Sequence, residues 1–198
     1  MSVIDGSLLN RAERRKLQTH QQLLIATAQL MLEQSYSALT IKAITERADL
    51  GYGTFYLHFK GLDDAVWEVI YQMVEEARLD TEQHTSQLPF PMREYQSWVY
   101  LFSFAAQMRQ GISQLFGRNG SAALLQRYQD YLAALHEDNL RTGIYSSGLD
   151  LPPAFLAQFI TGALVRLLVW WAETPNDYTP HQMADMMYQT VYRQPPPR

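Results

Sequence analysis

Apolar residues recur at helical spacing along nearly the whole chain, whereas the alternating pattern of a half-buried strand is almost absent. The strongest example runs from Pro153 to Glu173, where apolar side chains cover most of the helix circumference at about 100° per residue. Clusters of Gly, Pro, Asn and Ser interrupt the pattern at QLPFPM, GRNG, YSSGLDLPP and TPNDYTP. The sequence therefore predicts an all-α protein.

The spacing predicts eight helices between these breaks. Thr40 is placed to cap the second helix, Asp49 tolerates a left-handed backbone in the turn after it, and Asp63 and Asp64 favour the start of the fourth. The first helix carries a predicted core stripe of Leu17, Leu24, Ala28 and Met31, flanked by Ile25 and Leu32. The predicted helices span about 11–34, 41–48, 52–57, 62–80, 93–110, 122–141, 153–173 and 179–193.

The 198-residue chain has 47% hydrophobic residues, which is ample for a packed core, and it has no cysteine. The lack of cysteine excludes disulfides, a thiol nucleophile and a cysteine metal site. The five histidines lack the spacing of metal ligands, and there is no glycine-rich phosphate loop, HExxH or GxSxG motif. We therefore expect neither a metal nor a cofactor, and the pattern disfavours an enzyme.

No segment has the character of a membrane anchor. The N-terminus, MSVIDGSLLNRAERRK, lacks an apolar stretch of signal-peptide length. The most apolar segment, FLAQFITGALVRLLVWWA, is interrupted by Gln158 and Arg166. The sequence therefore predicts a cytoplasmic protein without a membrane span.

The net charge of −4 argues at first against a nucleic-acid partner, because lysine and arginine drive phosphate binding. The charge is unevenly distributed, however. Residues 1–60 hold seven basic and five acidic residues, a net +2, whereas the remainder holds nine basic and fifteen acidic residues, a net −6. Only the N-terminal part is therefore expected to face an anionic polymer.

The segment from Thr40 to Phe59 has the pattern of a helix-turn-helix, in which two short helices flank the tight turn ADLG. A second helix that enters a groove about 12 Å wide needs small or hydroxyl residues on its outer face, as at Gly53 and Thr54. Gly51 and Gly53 also let a phosphate approach the backbone closely. Donors suited to phosphates follow at Tyr56, His58 and Lys60.

Thr40, Ile44, Ala48 and the run GTFYLHF, from Gly53 to Phe59, are spaced as in the DNA-binding head of a known family. On these residues the sequence resembles the TetR-type transcriptional regulators, over roughly residues 15–70. A weaker likeness covers FITGALVRLLVWWAETPNDYTPHQMADMMYQTVYR, which is similar to the family's two dimerising C-terminal helices. The resemblance implies a three-helix DNA-binding head at 1–62, with its helix-turn-helix at about 40–59, and a larger helical ligand-binding and dimerisation body at 63–198.

The resemblance also implies roles for single residues. Thr40 would meet a phosphate at the start of the second helix, and Tyr52 and Thr54 would reach base edges. Tyr56 and His58 would meet backbone phosphates. The residues expected to pack the head are Leu39, Ile44, Phe55 and Phe59. The full predicted DNA-binding set is Thr40, Lys42, Gly51, Tyr52, Gly53, Thr54, Tyr56, His58 and Lys60.

Three positions depart from the family pattern. Gly51 stands where a serine commonly caps the recognition helix, and Asp49 stands where glycine is usual in the turn. Leu62 takes the place of a common phosphate-binding lysine, for which Lys60 is a candidate substitute. With the acidic net charge, these departures support one alternative, a helical dimeric protein that binds a ligand or partner but has lost operator binding.

The predicted helix from Pro153 to Glu173 is apolar on more sides than a chain of this length can easily cover. We therefore predict that a second copy covers part of it, together with the following helix; an ordinary intramolecular core is the alternative. The predicted homodimer interface is Phe155, Phe159, Gly162, Ala163, Arg166, Trp170, Met183, Met186, Met187 and Thr190.

Twelve tyrosines, eight phenylalanines and four tryptophans make the chain rich in aromatic residues, many of them on its central helices. Because small-molecule cavities are mostly apolar, this favours an apolar or aromatic effector, although core packing is the alternative role for each residue. The predicted ligand-binding set is Trp67, Tyr71, Trp98, Phe102, Gln107, Gln126, Arg127, Tyr128 and Tyr131. The favoured function is a repressor that binds a palindromic operator in double-stranded DNA as a homodimer and is released by this small molecule.

Overall fold

The computed structural model describes residues 10–144 and 150–197, which form nine α-helices, one 3-10 turn at Tyr36–Ala38 and no strand. The prediction of an all-α protein is confirmed; the predicted connection YSSGLDLPP lies partly outside the described residues. The helices are α1 Arg11–Glu33, α2 Ile41–Arg47, α3 Tyr52–Phe55, α4 Leu62–Thr85, α5 Met92–Gln107, α6 Arg109–Phe116, α7 Ala122–Arg141, α8 Pro153–Glu173 and α9 Pro180–Tyr192.

The chain divides between Gln72 and Met73, within α4, into two compact units. We call the described residues up to Gln72 the head and those from Met73 the body. The predicted domain boundary between residues 62 and 63 assigns all of α4 except Leu62 to the body, and it stays a prediction.

Local hydrogen bonds begin the head helices where the sequence predicts. Asn10 caps α1 in a reciprocal capping box with Glu13. The Thr40 side chain caps α2 by accepting a hydrogen bond from the Ala43 backbone N–H at 3.1 Å, as predicted. The starts of α1 and α2 are therefore encoded within four residues of the sequence.

The head core contains the four residues predicted to pack it, Leu39, Ile44, Phe55 and Phe59, all of them buried. The predicted stripe of α1 is partly wrong, because Leu17, Ile25 and Leu32 are exposed whereas Leu23 and Thr27 are fully buried. Thr27 can enter the core since its hydroxyl donates a 2.8 Å hydrogen bond to the Leu23 carbonyl. A prediction that considers only apolar residues does not identify Thr27 as a core position.

The body contains a helix that the sequence did not predict. The predicted helix over 93–110 is two helices, α5 and α6, with Met108 between them. Gly111 lies within α6 with open space around it. The end falls at Gly117, where a Cβ atom would lie 2.2 Å from the Ser113 carbonyl oxygen. α4 also continues to Thr85, beyond the predicted end at Asp80. The sequence did not predict these last turns because they are mostly polar and lack apolar periodicity.

The body core is built where α5 packs against α9 and α7 packs against α8. α8 alone among the described helices is long and apolar enough to cross a membrane by composition, and half of its apolar window is buried inside the protein. Its buried face includes Leu156, Ile160, Leu164 and Trp171. α8 is thus the central helix of this core.

Candidate nucleic-acid interface

The turn between α2 and α3 is held by two backbone hydrogen bonds of a Schellman motif. The Leu50 N–H donates to the Thr45 carbonyl at 2.9 Å, and the Asp49 N–H donates to the Glu46 carbonyl at 3.2 Å. Asp49 takes the left-handed position of this motif with φ 55°, which confirms the prediction for that residue. This turn sets the orientation of α3 relative to α2.

The predicted DNA-binding residues lie together on the surface of the head. Thr40 precedes α2, Lys42 lies in its first turn, and the others follow the Schellman turn. Thr54 and His58 are half-buried, whereas the rest of the set is exposed. Their exposure leaves the polar groups available to a partner, and their roles at phosphates and bases stay predictions.

Tyr52 and Tyr56 form a hydrogen-bonded pair on this surface. Their hydroxyl oxygens lie 3.2 Å apart and their rings meet edge to face. The hydrogen bond between the two hydroxyls raises the pKa of Tyr56 above its usual value, so the Tyr56 hydroxyl stays protonated near neutral pH. The pair therefore presents O–H groups that can donate to phosphate or base acceptors.

Neither Gly51 nor Gly53 is required by contacts within the chain. A Cβ atom at Gly51 would meet only the Thr54 hydroxyl, at an ordinary 3.7 Å, and one at Gly53 would meet nothing within 4 Å. Gly51 also precedes α3 without any side-chain cap. The space beside α3 is thus open to another molecule.

The chain has three lysines, Lys16, Lys42 and Lys60, all in the head. Lys42 lies 3.7 Å from Glu46, an exposed pair that contributes little. Arg47 makes a bidentate pair with Glu33, with N–O distances of 2.8 and 2.6 Å, and this carboxylate offsets its charge. The positive potential of the head therefore depends mainly on its lysines and on the arginines at the start of α1.

Sequence reasoning missed His20, which contacts Glu68, the core residue Phe59 and the predicted DNA-binding residue His58. Its Nε2 lies 2.7 Å from Glu68 Oε1 on α4, and its ring stacks on Phe59 at 4.8 Å. The His58 ring is 5.5 Å away. Burial first, and then the nearby charges of His20 and Lys16, hold the pKa of His58 below its usual value. The i, i+4 spacing of Lys16 and His20 was the available signal, because it places both side chains on one face of α1. No local pattern could indicate the contact with Glu68, which is 48 residues from His20.

The structure distributes the predicted ligand residues among several environments. Trp98 and Phe102 are buried in the body core, whereas the side chains of Gln107, Gln126 and Arg127 are exposed. The remaining members are Trp67 and Tyr71, whose rings lie 6.3 Å apart in the head, and Tyr128 and Tyr131 on α7. Their binding role stays a prediction.

Tyr128 and Tyr131 occupy different settings on α7. The Tyr128 ring stacks on Phe116 of α6 at 5.0 Å, and burial raises the pKa of Tyr128 to about 12. Tyr131 donates a hydrogen bond to Glu75 of α4, which is also paired with Arg78. Tyr131 thus links α7 to the body part of α4.

The predicted dimer residues divide between surface and core. On α8, Phe155 and Phe159 are 59% and 62% exposed, and Gly162 and Arg166 are also exposed. Ala163 and Trp170 are half-buried. On α9, Met186 and Thr190 are exposed, whereas Met183 and Met187 are buried in the core of the same chain. The surface available to a second copy therefore centres on α8.

Two family models match this sequence. One, described as bacterial regulatory proteins of the tetR family, matches residues 23–64. The other, described as a transcriptional regulator C-terminal region, matches residues 94–193, half of the chain. No curated protein matches.

Solved structures share the fold over most of both chains. A TetR transcriptional regulator from Streptococcus agalactiae is 20% identical, with 91% of this chain and 97% of that chain covered and a TM-score of 0.60. NalD of Pseudomonas aeruginosa, the secondary repressor of the MexAB-OprM multidrug efflux pump, is 20% identical, with 89% and 95% covered and a TM-score of 0.58. FadR of Bacillus subtilis, in complex with stearoyl-CoA, is 16% identical, with 87% and 97% covered and a TM-score of 0.56.

Proposed function

Because this chain belongs to the TetR family of bacterial transcriptional regulators, we propose that it represses transcription by binding a palindromic operator as a homodimer. A small, largely apolar or aromatic molecule would release it. The family makes the chain a DNA-binding transcriptional regulator; the mode of regulation and the class of effector are proposed here. The observation that carries the proposal is the exposed Tyr52–Tyr56 pair beside the open surface at Gly51 and Gly53.

This surface suits a DNA groove for physical reasons. Because the glycines carry no side chain, the backbone at the start of α3 can approach a phosphate or a base edge closely. Tyr52 would then reach base edges with Thr54, while Tyr56 and Lys60 hold the backbone on either side. The Schellman turn at Asp49 keeps these donors in a fixed orientation.

A homodimer supplies the second half-site contact. Recognition helices of a dimer read successive major grooves about 34 to 36 Å apart, which one head cannot span. The exposed Phe155 and Phe159 of α8 support burial against a second copy, because large apolar side chains at adjacent turns favour association. Gly162 allows the two copies of α8 to approach closely.

The aromatic body supports an apolar effector. An effector that binds one arrangement of the body more tightly would shift the population toward it. α4 spans both units, so a change in its position would alter the spacing of the two recognition helices and weaken operator binding. The stearoyl-CoA bound to FadR of Bacillus subtilis is a largely apolar molecule and supports the same class here.

Binding to the DNA that flanks this gene tests the proposal. The purified protein should bind one flanking fragment over unrelated DNA at moderate salt, and affinity should fall steeply as salt rises. Tyr52→Phe should weaken this complex about tenfold, close to the loss of one hydrogen bond. Tyr178→Phe, which removes the hydroxyl of an exposed tyrosine in the body, is the matched control and should not change the affinity.

The alternative is a helical dimer that binds ligands or partners without an operator. Leu62 in place of a phosphate-binding lysine and the pairing of Arg47 with Glu33 favour it. A genome-wide selection for bound DNA that recovers no preferred site would support this alternative over the repressor. We propose a cytoplasmic location and no catalytic activity, and turnover of any bound ligand would contradict the latter.

A further inference from the structure

His20, His58 and Glu68 form a cluster of titratable side chains on the head. α1 brings His20 beside His58, and α4 brings Glu68 to the other side of the His20 ring. We propose that this cluster is a proton-responsive contact for a DNA phosphate, so that the affinity for DNA rises as the pH falls through neutrality. The inference rests on the proposed role of His58 in DNA binding.

His20 is held in place on two sides. Its Nε2 hydrogen-bonds to Glu68 Oε1 at 2.7 Å, and its ring stacks on Phe59, which is itself buried. The contact with the Glu68 carboxylate fixes the orientation of the His20 ring. His20 thus acts as a positioning residue whose ring is held 5.5 Å from the His58 ring.

The groups that face His58 make its protonation unfavourable in the free protein. Lys16 and His20 face it from α1, Glu68 of α4 is paired with His20, and Lys60 follows two residues later. Burial, His20 and Lys16 together lower the pKa of His58, so that its ring is largely neutral at neutral pH. A neutral imidazole can donate one hydrogen bond but adds no charge to the interface.

A phosphate next to His58 reverses this balance. An opposite charge within about 4 to 6 Å favours the charged imidazolium, so the pKa of His58 is higher in the complex than in the free protein. Binding therefore takes up a proton. The gain in affinity is complete below the lowered pKa of the free protein and is lost as the pH rises through the higher pKa of the complex.

A metal ion is not the favoured occupant of this cluster. Within residues 10–144 and 150–197, no group of three His, Asp or Glu side chains is arranged to hold a metal. His20 Nε2 is already engaged by Glu68. An anion that meets the open side of His58 fits the surrounding positive charge better than a cation does.

The imidazole titration of the free protein, followed by NMR, is the first test. We expect His58 to titrate below about 6.5, the ordinary histidine value. His20→Gln should raise the His58 midpoint, because it removes a positive neighbour; His84→Gln, which changes a histidine of the body, should leave it unchanged. An unchanged His58 midpoint in His20→Gln would overturn the assignment of His20.

DNA binding across the pH range is the second test, with a short duplex of arbitrary sequence at low salt and constant ionic strength. The dissociation constant should fall as the pH is lowered from about 8 to about 5.5, by at most about tenfold per pH unit for one proton. His58→Gln should lose the pH dependence of binding, whatever its affinity at pH 8. His20→Gln should move the pH profile to higher pH, and this shift remains informative if His58→Gln folds poorly.

The outcomes separate this inference from the proposed function. Binding with the same pH profile in the wild type and in folded His58→Gln overturns the proton-linked contact and leaves operator binding intact. Absence of binding to any DNA at every pH overturns both. A pH dependence that disappears in His58→Gln and persists in His84→Gln supports the inference.

Discussion

Asp49 ends α2 in a left-handed conformation that glycine adopts more easily. The residue is exposed, and its backbone N–H bonds to the Glu46 carbonyl within the Schellman motif. An aspartate here carries a conformational cost that glycine would avoid. The position therefore tests how much the turn contributes to the stability of the head.

Asp49→Gly should increase the free energy of unfolding by up to about 1 kcal/mol, because it relieves the left-handed strain. Ala48→Gly is the matched control: Ala48 is right-handed, so glycine there should lower the free energy of unfolding by up to about 1 kcal/mol. Urea denaturation of both variants measures the difference. Destabilisation by Asp49→Gly would show that the aspartate side chain stabilises the turn in another way.

Glu94 is a buried carboxyl in the first turn of α5, 3% exposed, and its Oε2 has no hydrogen-bond partner among the described residues. Burial raises the pKa of Glu94. A carboxyl whose pKa is raised in the folded state contributes most below its unfolded pKa, and that contribution is lost as the pH rises through the folded pKa. The body should therefore be less stable at neutral pH than its packing alone would allow.

Glu94→Gln should raise the melting temperature by a few degrees at about pH 7.5, since roughly 1 kcal/mol moves it by about 2 to 4 °C in a chain of this size. The difference from the wild type should shrink toward about pH 4.5, where both side chains are neutral. Glu76→Gln, at an exposed site on α4, is the control and should change little. Thermal melts at fixed protein concentration measure both variants, and an equal effect of Glu94→Gln at both pH values would contradict the role of charge.

At the scale of the element, the glycines that end or interrupt a helix have different functions. Gly111 lies inside α6 with open space around it, whereas Gly117 and Gly120 follow α6 where the backbone passes very close to other atoms. Sequence patterns rank these glycines alike. Only the packed turn distinguishes a required glycine from a tolerated one.

Gly117→Ala should destabilise the body by about 1 to 3 kcal/mol, because its methyl group would lie 2.2 Å from the Ser113 carbonyl oxygen. Gly111→Ala should stabilise α6 by roughly 0.5 to 1 kcal/mol, since alanine favours a helix interior. Denaturant unfolding of the pair gives opposite signs if the two glycines differ as described. Equal effects would contradict the close approach at Gly117.

The helices themselves were largely predictable from the sequence, since most begin and end within a few residues of their predicted bounds. Asn10, Thr40 and Asp49 act on backbone groups two to four positions away, and such signals are local. The junction at Met108 and the burial of Thr27 were not predictable in the same way. Both depend on which neighbours pack against the helix.

At the scale of the whole molecule, α8 combines a buried face with a row of exposed aromatic residues. Leu156 and Leu164 face the core of the chain, whereas Phe155 and Phe159 are exposed. α9 offers a second copy less exposed apolar surface than the sequence predicts, because Met183 and Met187 are buried in the same chain. This division supports the proposed association of two copies through α8.

Phe159→Asp should weaken the proposed homodimer by at least about tenfold, or roughly 1.4 kcal/mol, because it places a charge at the centre of an apolar contact. Ile25→Asp is the control, since Ile25 is 58% exposed but lies in the head. Sedimentation equilibrium should show dissociation of the first variant alone. A dimer of unchanged affinity in Phe159→Asp would place the interface elsewhere.

The sequence by itself determined most of the helices, the Thr40 cap and the helix-turn-helix, because each depends on residues within about one or two turns of each other. Tertiary structure alone decided that α1 buries Leu23 and Thr27, that Met183 and Met187 face inward, and that His20 lies between Glu68 and His58. These outcomes depend on contacts between residues far apart in the chain, such as the 48 positions that separate His20 from Glu68. A local pattern limits which faces a helix can bury, and the packing of the other helices selects one of them.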